Sequence, residues 1–442
     1  MYNRTIIACA FCLFLFREAG PLAAGELSPS ASFLRMQSMA IVPNSIDAAY
    51  YNPAGLAGLE NGLYFDLGYQ VMAKTVKHEM ARMGGEDTEP SLFIPQFAAA
   101  YKKGSGAFFL SLCMPEGVER AYYNRPKGGM PLVSYFSLGL DPVQMATLQG
   151  AGLTVPLGSM ELPMITWVKA SRYWLQGRIG GSFSLHELFA VTGGVSCSYF
   201  EGDHSAGVLN WGSVDKIEKV AVGWSGFFGI MLGKPEGTML AVLYSTQVIA
   251  RGTEKNVKYN YTRVMEERLP DYLLIGLNWP TSDKTAVRLS YRVDFSGERN
   301  FGTRNLLTRS HELGYLDWLM VARSAAAWSA FPLIATGNAQ NYKHRDRHSF
   351  GAGIEFPIKG IIASAGLSYS SQEKYPRAQN PLDPDLQRVG IGAGVRINAS
   401  KSIVVDTGTA YYFYITDRML YNSIRMERGA WMMGLSVTVK AM

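Results

Sequence analysis

Residues 387–398 read QRVGIGAGVRIN. Val389, Ile391, Ala393, Val395 and Ile397 fall on one face, and Arg388, Gly390, Gly392, Gly394, Arg396 and Asn398 on the other. A period of two, with bulky apolar residues opposed to Arg, Gly and Asn, belongs to a strand with two unlike faces. One face meets an oily phase and the other meets water or a polar interior. The pattern returns at 284–296, where Val287, Leu289, Tyr291, Val293 and Phe295 oppose Arg288, Ser290, Arg292 and Asp294. It returns again at 360–370 and 429–440. Alternation alone does not say which face points inward, because a soluble barrel or sandwich buries its apolar side. The Arg-rich polar faces, the chain length and an export signal favour polar inside and apolar outside.

The bulk numbers agree with that choice. Of 442 residues, 48% are apolar and only 18% charged, against about 25% charged in ordinary soluble proteins. The 46 Gly and 24 Tyr suit a barrel with a tight interior and aromatic girdles. A net charge of +6 without a Lys/Arg stripe argues against a nucleic-acid partner. At the N-terminus Arg4, an apolar run over 5–16 and the small residues Ala23, Ala24 and Gly25 read as a signal peptide over 1–25. The run is too short to cross ~30 Å of hydrocarbon as a helix, and no later stretch reaches ~18 apolar residues. Export without spanning helices leaves the periplasm, the outer membrane or the exterior. Beyond the signal only Cys113 and Cys197 remain, too few for a disulfide scaffold or a metal cluster. No cofactor and no metal is expected.

Alternation places strands near 62–73, 92–103, 106–114, 171–184, 187–200, 217–233 and 237–250. Seven more fall near 270–280, 284–296, 346–357, 360–370, 387–398, 402–414 and 429–440. That is about fourteen, an even number, as single-chain bacterial barrels require. Tight turns such as Gly104-Ser105 and Ile358-Lys359 alternate with long segments at 74–91, 115–170, 201–216, 251–269, 297–345, 371–386 and 415–428. Short periplasmic turns and long external loops have that arrangement. Residues 131–153 could hold a short helix, and the apolar stretch 313–335 an extra hairpin or an external cap. The expected fold is all-β: a transmembrane antiparallel barrel over 62–442.

Residues 26–61 do not alternate, and a short helix is expected over Ser45–Tyr51. With Phe33, Leu34, Met36, Ile41, Val42, Tyr50, Tyr51 and Leu56, the segment is too apolar to remain solvated as a tail. The barrel interior is the nearest shelter, so 26–61 is expected to be a hatch plugging the lumen.

The stretch AIVPNSIDAAYYNPAGLAGLENGLYFDLGYQ resembles the hatch and first strand of the FadL/TodX family of outer-membrane transporters for long-chain fatty acids and other hydrophobic compounds. Asn52, Pro53 and Ala54, with Gly55 following, match the family's Asn-Pro-Ala motif. The likeness continues in order through AFFLSLCMPEGVERAY at 107–122, Leu269-Pro270-Asp271 before IGLNW, Trp328-Ser329 with Phe331, FGAGIEF after Asp346, and Asp383-Pro384-Asp385 before RVGIGAGV. One departure is the terminus. The chain ends Lys440-Ala441-Met442, whereas the family ends in an aromatic residue read by the barrel-assembly machinery.

The resemblance implies uptake of hydrophobic molecules, long-chain fatty acids above all, by diffusion through a plugged barrel with apolar pockets and a side exit. The partners it implies are the ligand, outer-membrane lipid and the assembly machinery, around a monomer in the outer membrane of a two-membraned bacterium. Pro115 cannot donate to a ladder and Gly117 tolerates strained angles, so these two either border a lateral opening or begin the long loop. A carboxylate head could pair with a lumen arginine. The candidates are Arg178, Arg288, Arg292, Arg388 and Arg396, unless wall or hatch acids such as Asp294 and Glu355 already hold them. A general porin, a surface adhesin and an outer-membrane lipase are the alternatives. The lipase would need a Ser–His pair; of the six His, His344 and His348 have a metal-like spacing only on a helix, and that region reads as loop into strand.

Overall fold

The computed structural model describes residues 30–38, 40–42, 44–80, 83–115, 118–123, 165–208, 212–234, 237–257, 261–282, 285–296, 345–372, 386–415, 417–419 and 424–441. The segments 131–153 and 313–335, together with Gly117 and His344, lie outside them.

Eighteen segments build one antiparallel sheet. In chain order they are β1 Gly62–Met80, β2 Met83–Lys103, β3 Gly106–Cys113, β4 Val118–Tyr123, β5 Ile165–His186 and β6 Phe189–Val208. β7 Gly212–Gly233, β8 Met239–Ser245, β9 Val248–Asn256, β10 Tyr261–Leu269, β11 Tyr272–Ser282 and β12 Thr285–Asp294 follow. The last six are β13 Arg347–Ile358, β14 Ile361–Ser370, β15 Arg388–Asn398, β16 Ile403–Tyr414, β17 Asp417–Met419 and β18 Ile424–Ala441. Four staves are each made of two pieces (β3 with β4, β8 with β9, β10 with β11, β16 with β17), so the wall has 14 strands. The sheet closes on itself where β1 pairs with β18, from Leu63 opposite Ala441 to Glu79 opposite Arg425. Closure removes every edge, which is what a sheet in hydrocarbon needs.

The side chains settle the polarity that alternation left open. Phe108, Trp224, Trp279 and Leu367 stand more than half exposed on the outer surface. Asp66, Gln70, Gln96, Ser182, Asn278, Glu355 and Asp406 are buried inside. In the opening stretch, Ile391 faces out while Gly390 and Gly392 are buried.

The strands overrun their expected ends. Residues 74–80 and 83–91, 201–208 and 212–216, and 251–256 and 261–269 are strand rather than loop. Beyond the apolar band both faces of a hairpin can meet water, so pairing persists after the alternation that would reveal it has stopped. The strand expected at 237–250 is instead interrupted at Thr246–Gln247, between β8 and β9.

Candidate functional site

Residues 30–58 lie within the cylinder and touch opposite walls. Helix α1, Ala31–Met36, is capped by Ser30, whose Oγ accepts from the Phe33 N–H at 3.3 Å, and ends at Gln37 in the left-handed region. Six residues are too few for a stable isolated helix, so docking holds this one. Its bed is the glycine face of β13–β16. A Cβ on Gly366 would lie 1.8 Å from the Met36 carbonyl oxygen, and one on Gly392 2.0 Å from that of Leu34. Only hydrogen at those positions lets helix and wall backbones meet.

Two 3-10 turns follow, Ile46–Tyr50 and Pro53–Gly58. The first falls where a short helix was expected. Asn52 caps the second, accepting from the Ala54 N–H at 3.2 Å. Its amide also donates to the carbonyls of Ile230 and Val242, at 3.1 and 3.2 Å, which ties the turn to β7 and β8. Pro53 offers its carbonyl to Ser182 of β5 at 2.6 Å. Ala54 is fully buried, and a Cβ on Gly55 would lie 2.7 Å from the Val42 carbonyl oxygen. All four motif residues therefore work at one junction.

Six buried charges join this segment to the wall. Arg35 of α1 reaches Glu355 at 2.5 Å and Asp406 at 3.0 Å, and bonds Ser364. Arg288 meets the other oxygen of Glu355 at 2.5 Å. Arg396 bridges Asp47 and Asp406, each at 2.9 Å. Three guanidinium groups balance three carboxylates. On the opposite side Tyr50 donates to Asp66 at 3.0 Å, as do Gln96 at 3.0 Å and Thr438 at 2.9 Å. At the short-turn rim the Lys440 ammonium bonds Glu60 and holds that carboxyl below its ordinary range.

A cavity opens between the segment and the wall. Phe33, Tyr50, Tyr51, Val248 and Leu274 give it apolar walls, and Cys113 and Pro115 carry it to the end of β3. Of the five candidate arginines, Arg178, Arg292 and Arg388 line this cavity, whereas Arg288 and Arg396 belong to the charge cluster below. Arg292 is paired with Asp294 at 2.5 Å and stacks on the Tyr272 ring at 4.0 Å. Arg388 stands over the Tyr412 ring at 5.5 Å. Arg178 differs. It donates to Gln176 Oε1 at 2.9 Å, the Tyr50 carbonyl at 3.1 Å and the Tyr272 hydroxyl at 2.6 Å, and it lies over the Phe227 ring. Among the described residues all its partners are neutral.

Arg35, Asp47 and Asp406 did not stand out in the sequence. A lone Arg inside an apolar segment bound for a lumen was the available signal for the first. Asp47 carried none, because Arg396 lies 349 positions away; Asp406 faces Arg396 across the β15–β16 pair, a contact that only the strand register reveals. His348 sits in β13, where its Nδ1 hydrogen-bonds the Tyr291 hydroxyl at 2.8 Å on the outer surface.

The wall is interrupted beside the cavity. β3 pairs with β5 up to Cys113 opposite Gln176, and β4 resumes with Val118 opposite Tyr173. No rung is formed by Trp174 and Leu175 toward this stave among the described residues. β2 pairs with β3 only between Phe97–Leu112 and Lys103–Gly106, and no rung joins β2 to β4 among the described residues.

This architecture is a closed antiparallel β-barrel with its polar face inward and a folded segment inside it. Solved structures of outer-membrane barrels share its overall fold. The chain matches a FadL homologue from Pseudomonas aeruginosa at 13% identity and a TM-score of 0.61, covering 95% of this chain and 99% of that one. It matches the toluene transporter TodX of Pseudomonas putida at 12% identity, a TM-score of 0.61 and the same coverage. The toluene transporter TbuX of Ralstonia pickettii follows at 14% identity and a TM-score of 0.55, with 92% and 97% covered. No family model and no curated protein matches the chain. The particular fold is thus the FadL/TodX-like one, and two of these neighbours are described as toluene transporters.

Proposed function

We propose that the protein takes up hydrophobic small molecules with an anionic head, long-chain fatty acids above all, by diffusion across the outer membrane. A water-filled pore would not help such a solute, since exposing apolar surface costs ~25 cal/mol per Å². An apolar cavity inside the wall does help. The segment 26–61 acts as the hatch that stops ions and polar solutes. The ligand leaves sideways where β3 breaks, with Pro115 and Gly117 bordering the opening. The barrel works as a monomer in outer-membrane lipid, inserted by the barrel-assembly machinery.

The observation that carries the fatty-acid reading is Arg178. A buried cation without a carboxylate is costly, and this one borders a cavity otherwise suited to an alkyl chain. An incoming carboxylate supplies the missing charge through strong charge-assisted hydrogen bonds. Arg292 and Arg388 line the same cavity but already face an acid or an aromatic ring, which makes them secondary. Arg288 and Arg396 serve the hatch.

Binding of palmitate and of its methyl ester to detergent-purified protein tests this. In Arg178→Gln, palmitate affinity should fall about 10- to 100-fold, in line with roughly 1.5–3 kcal/mol for a hydrogen bond to a charged group. The ester should bind as before. Equal loss of both ligands, or no loss of either, would reject Arg178 as the head-group site. Binding of toluene but not palmitate by the parent protein would replace fatty acids with hydrocarbons as the substrate class.

A further inference from the structure

A second interruption lies in the wall well away from the β3 break. β8 and β11 pair as far as Ser245 opposite Tyr272. β9 and β10 resume with Val248 opposite Leu269. The two rungs between are missing, with Thr246 and Gln247 facing Pro270 and Asp271. Pro270 has no N–H to give.

The flanking seams at this level are closed. Toward β7, the Thr246 N–H donates to the Gly226 carbonyl at 2.9 Å, and the Gly226 N–H donates to Thr246 Oγ1 at 2.9 Å. Toward β12, the Phe295 N–H donates to the Asp271 carbonyl at 3.0 Å. Among the described residues at this level, no backbone bond crosses the seam between these staves. A side-chain contact does cross it on the outer surface, where the Tyr244 hydroxyl donates to Asp271 Oδ2 at 3.1 Å. Both lips of the gap, Ser245, Thr246 and Val248 on one side and Leu269, Pro270 and Tyr272 on the other, line the cavity that holds Arg178. Tyr272 at its edge is the group that bonds Arg178.

We propose that this seam is a second lateral portal, through which apolar chains pass between the cavity and the lipid around the barrel, with Tyr244 and Asp271 as its latch. Missing rungs in hydrocarbon are costly because no water replaces them, and these two fall where the seam borders a cavity. A side-chain hydrogen bond can open and reclose without unzipping the flanking ladders. The portal rests on the reading of the cavity as a ligand site, and gives it a wall exit independent of Pro115.

The test is a reversible cross-link. In a Cys113→Ala/Cys197→Ala background, the pair Thr246→Cys/Asp271→Cys locks the gap. Leu232→Cys/Leu240→Cys, on the closed β7–β8 seam, serves as control, and heat-shifted mobility in detergent gels verifies that each variant folds. Uptake of labelled palmitate into cells should drop about twofold when the gap is bridged, with the break in β3 carrying the rest, and recover on reduction. The control should not respond, and palmitate binding by the purified protein should be unchanged. A palmitate analogue with a diazirine near its tail should label Thr246 or Leu269. Full uptake through the bridged gap, or no label on either lip, would overturn the portal. Should the unlinked protein bind no palmitate at all, the fatty-acid reading falls instead, and an alkyl diazirine without a carboxylate then decides the portal by the same labelling.

Discussion

Gly366 and Gly392 show how much a single hydrogen atom can decide. Each stands where a β-carbon would collide with the backbone of α1, about 2 Å from a carbonyl oxygen. Gly366→Ala should therefore leave the barrel formed and displace the helix. The check is a rise in planar-bilayer conductance with unchanged heat-shifted mobility; unaltered conductance would mean that the helix tolerates the methyl. Asn52 acts through hydrogen bonds instead. Asn52→Ala removes a cap and two bonds to wall carbonyls, leaving three backbone groups without that partner. Losing a cap alone costs roughly 0.5–2 kcal/mol. Amide exchange across 44–58 should speed up about tenfold or more while that of β14 and β15 stays slow.

Among the elements, α1 depends most on the wall. Its Arg35 shares Glu355 with Arg288, so Glu355→Gln leaves two guanidinium groups facing each other with one acid fewer. Removing one partner of a buried pair typically costs about 3–5 kcal/mol. The barrel has many other rungs to absorb this, but a six-residue helix does not. The expected result is that α1 becomes open to protease or exchange while β13 and β14 remain protected, and equal loss of protection in both would refute the local effect. The broken staves are the other feature of this scale. A strand that stops for a few residues and restarts opens a seam without costing the barrel its closure, since β1 and β18 still join along their whole length.

The whole molecule is a closed wall around a docked segment, and its permeability should follow from that. Protein lacking residues 30–58 should still insert, yet conduct ions at least tenfold more than the full chain in planar bilayers. Equal conductance would show that the segment does not block the bore. Much of this was legible beforehand. The strands at 284–296, 360–370, 387–398 and 429–440 lie where alternation puts them, because each side of the wall meets a different medium. The extensions at 74–80, 83–91, 251–256 and 261–269 escaped, because outside the apolar band the two faces no longer differ. Five arginines were assigned to the lumen by parity, and parity cannot say which of them meet acids.

The sequence by itself determined the strands, the even closure and a segment too apolar to stay outside, because these depend on local periodicity and composition. Only the tertiary structure decided that Gly390 and Gly392 belong to the face against which α1 docks, that Arg288 and Arg396 belong to the buried charge cluster while Arg178 lines the cavity, and that the wall skips rungs beside that cavity at the β3–β5 seam and between β8/β9 and β10/β11. Those outcomes depend on groups up to several hundred residues apart meeting at a few ångströms, and no pattern along one strand carries that information.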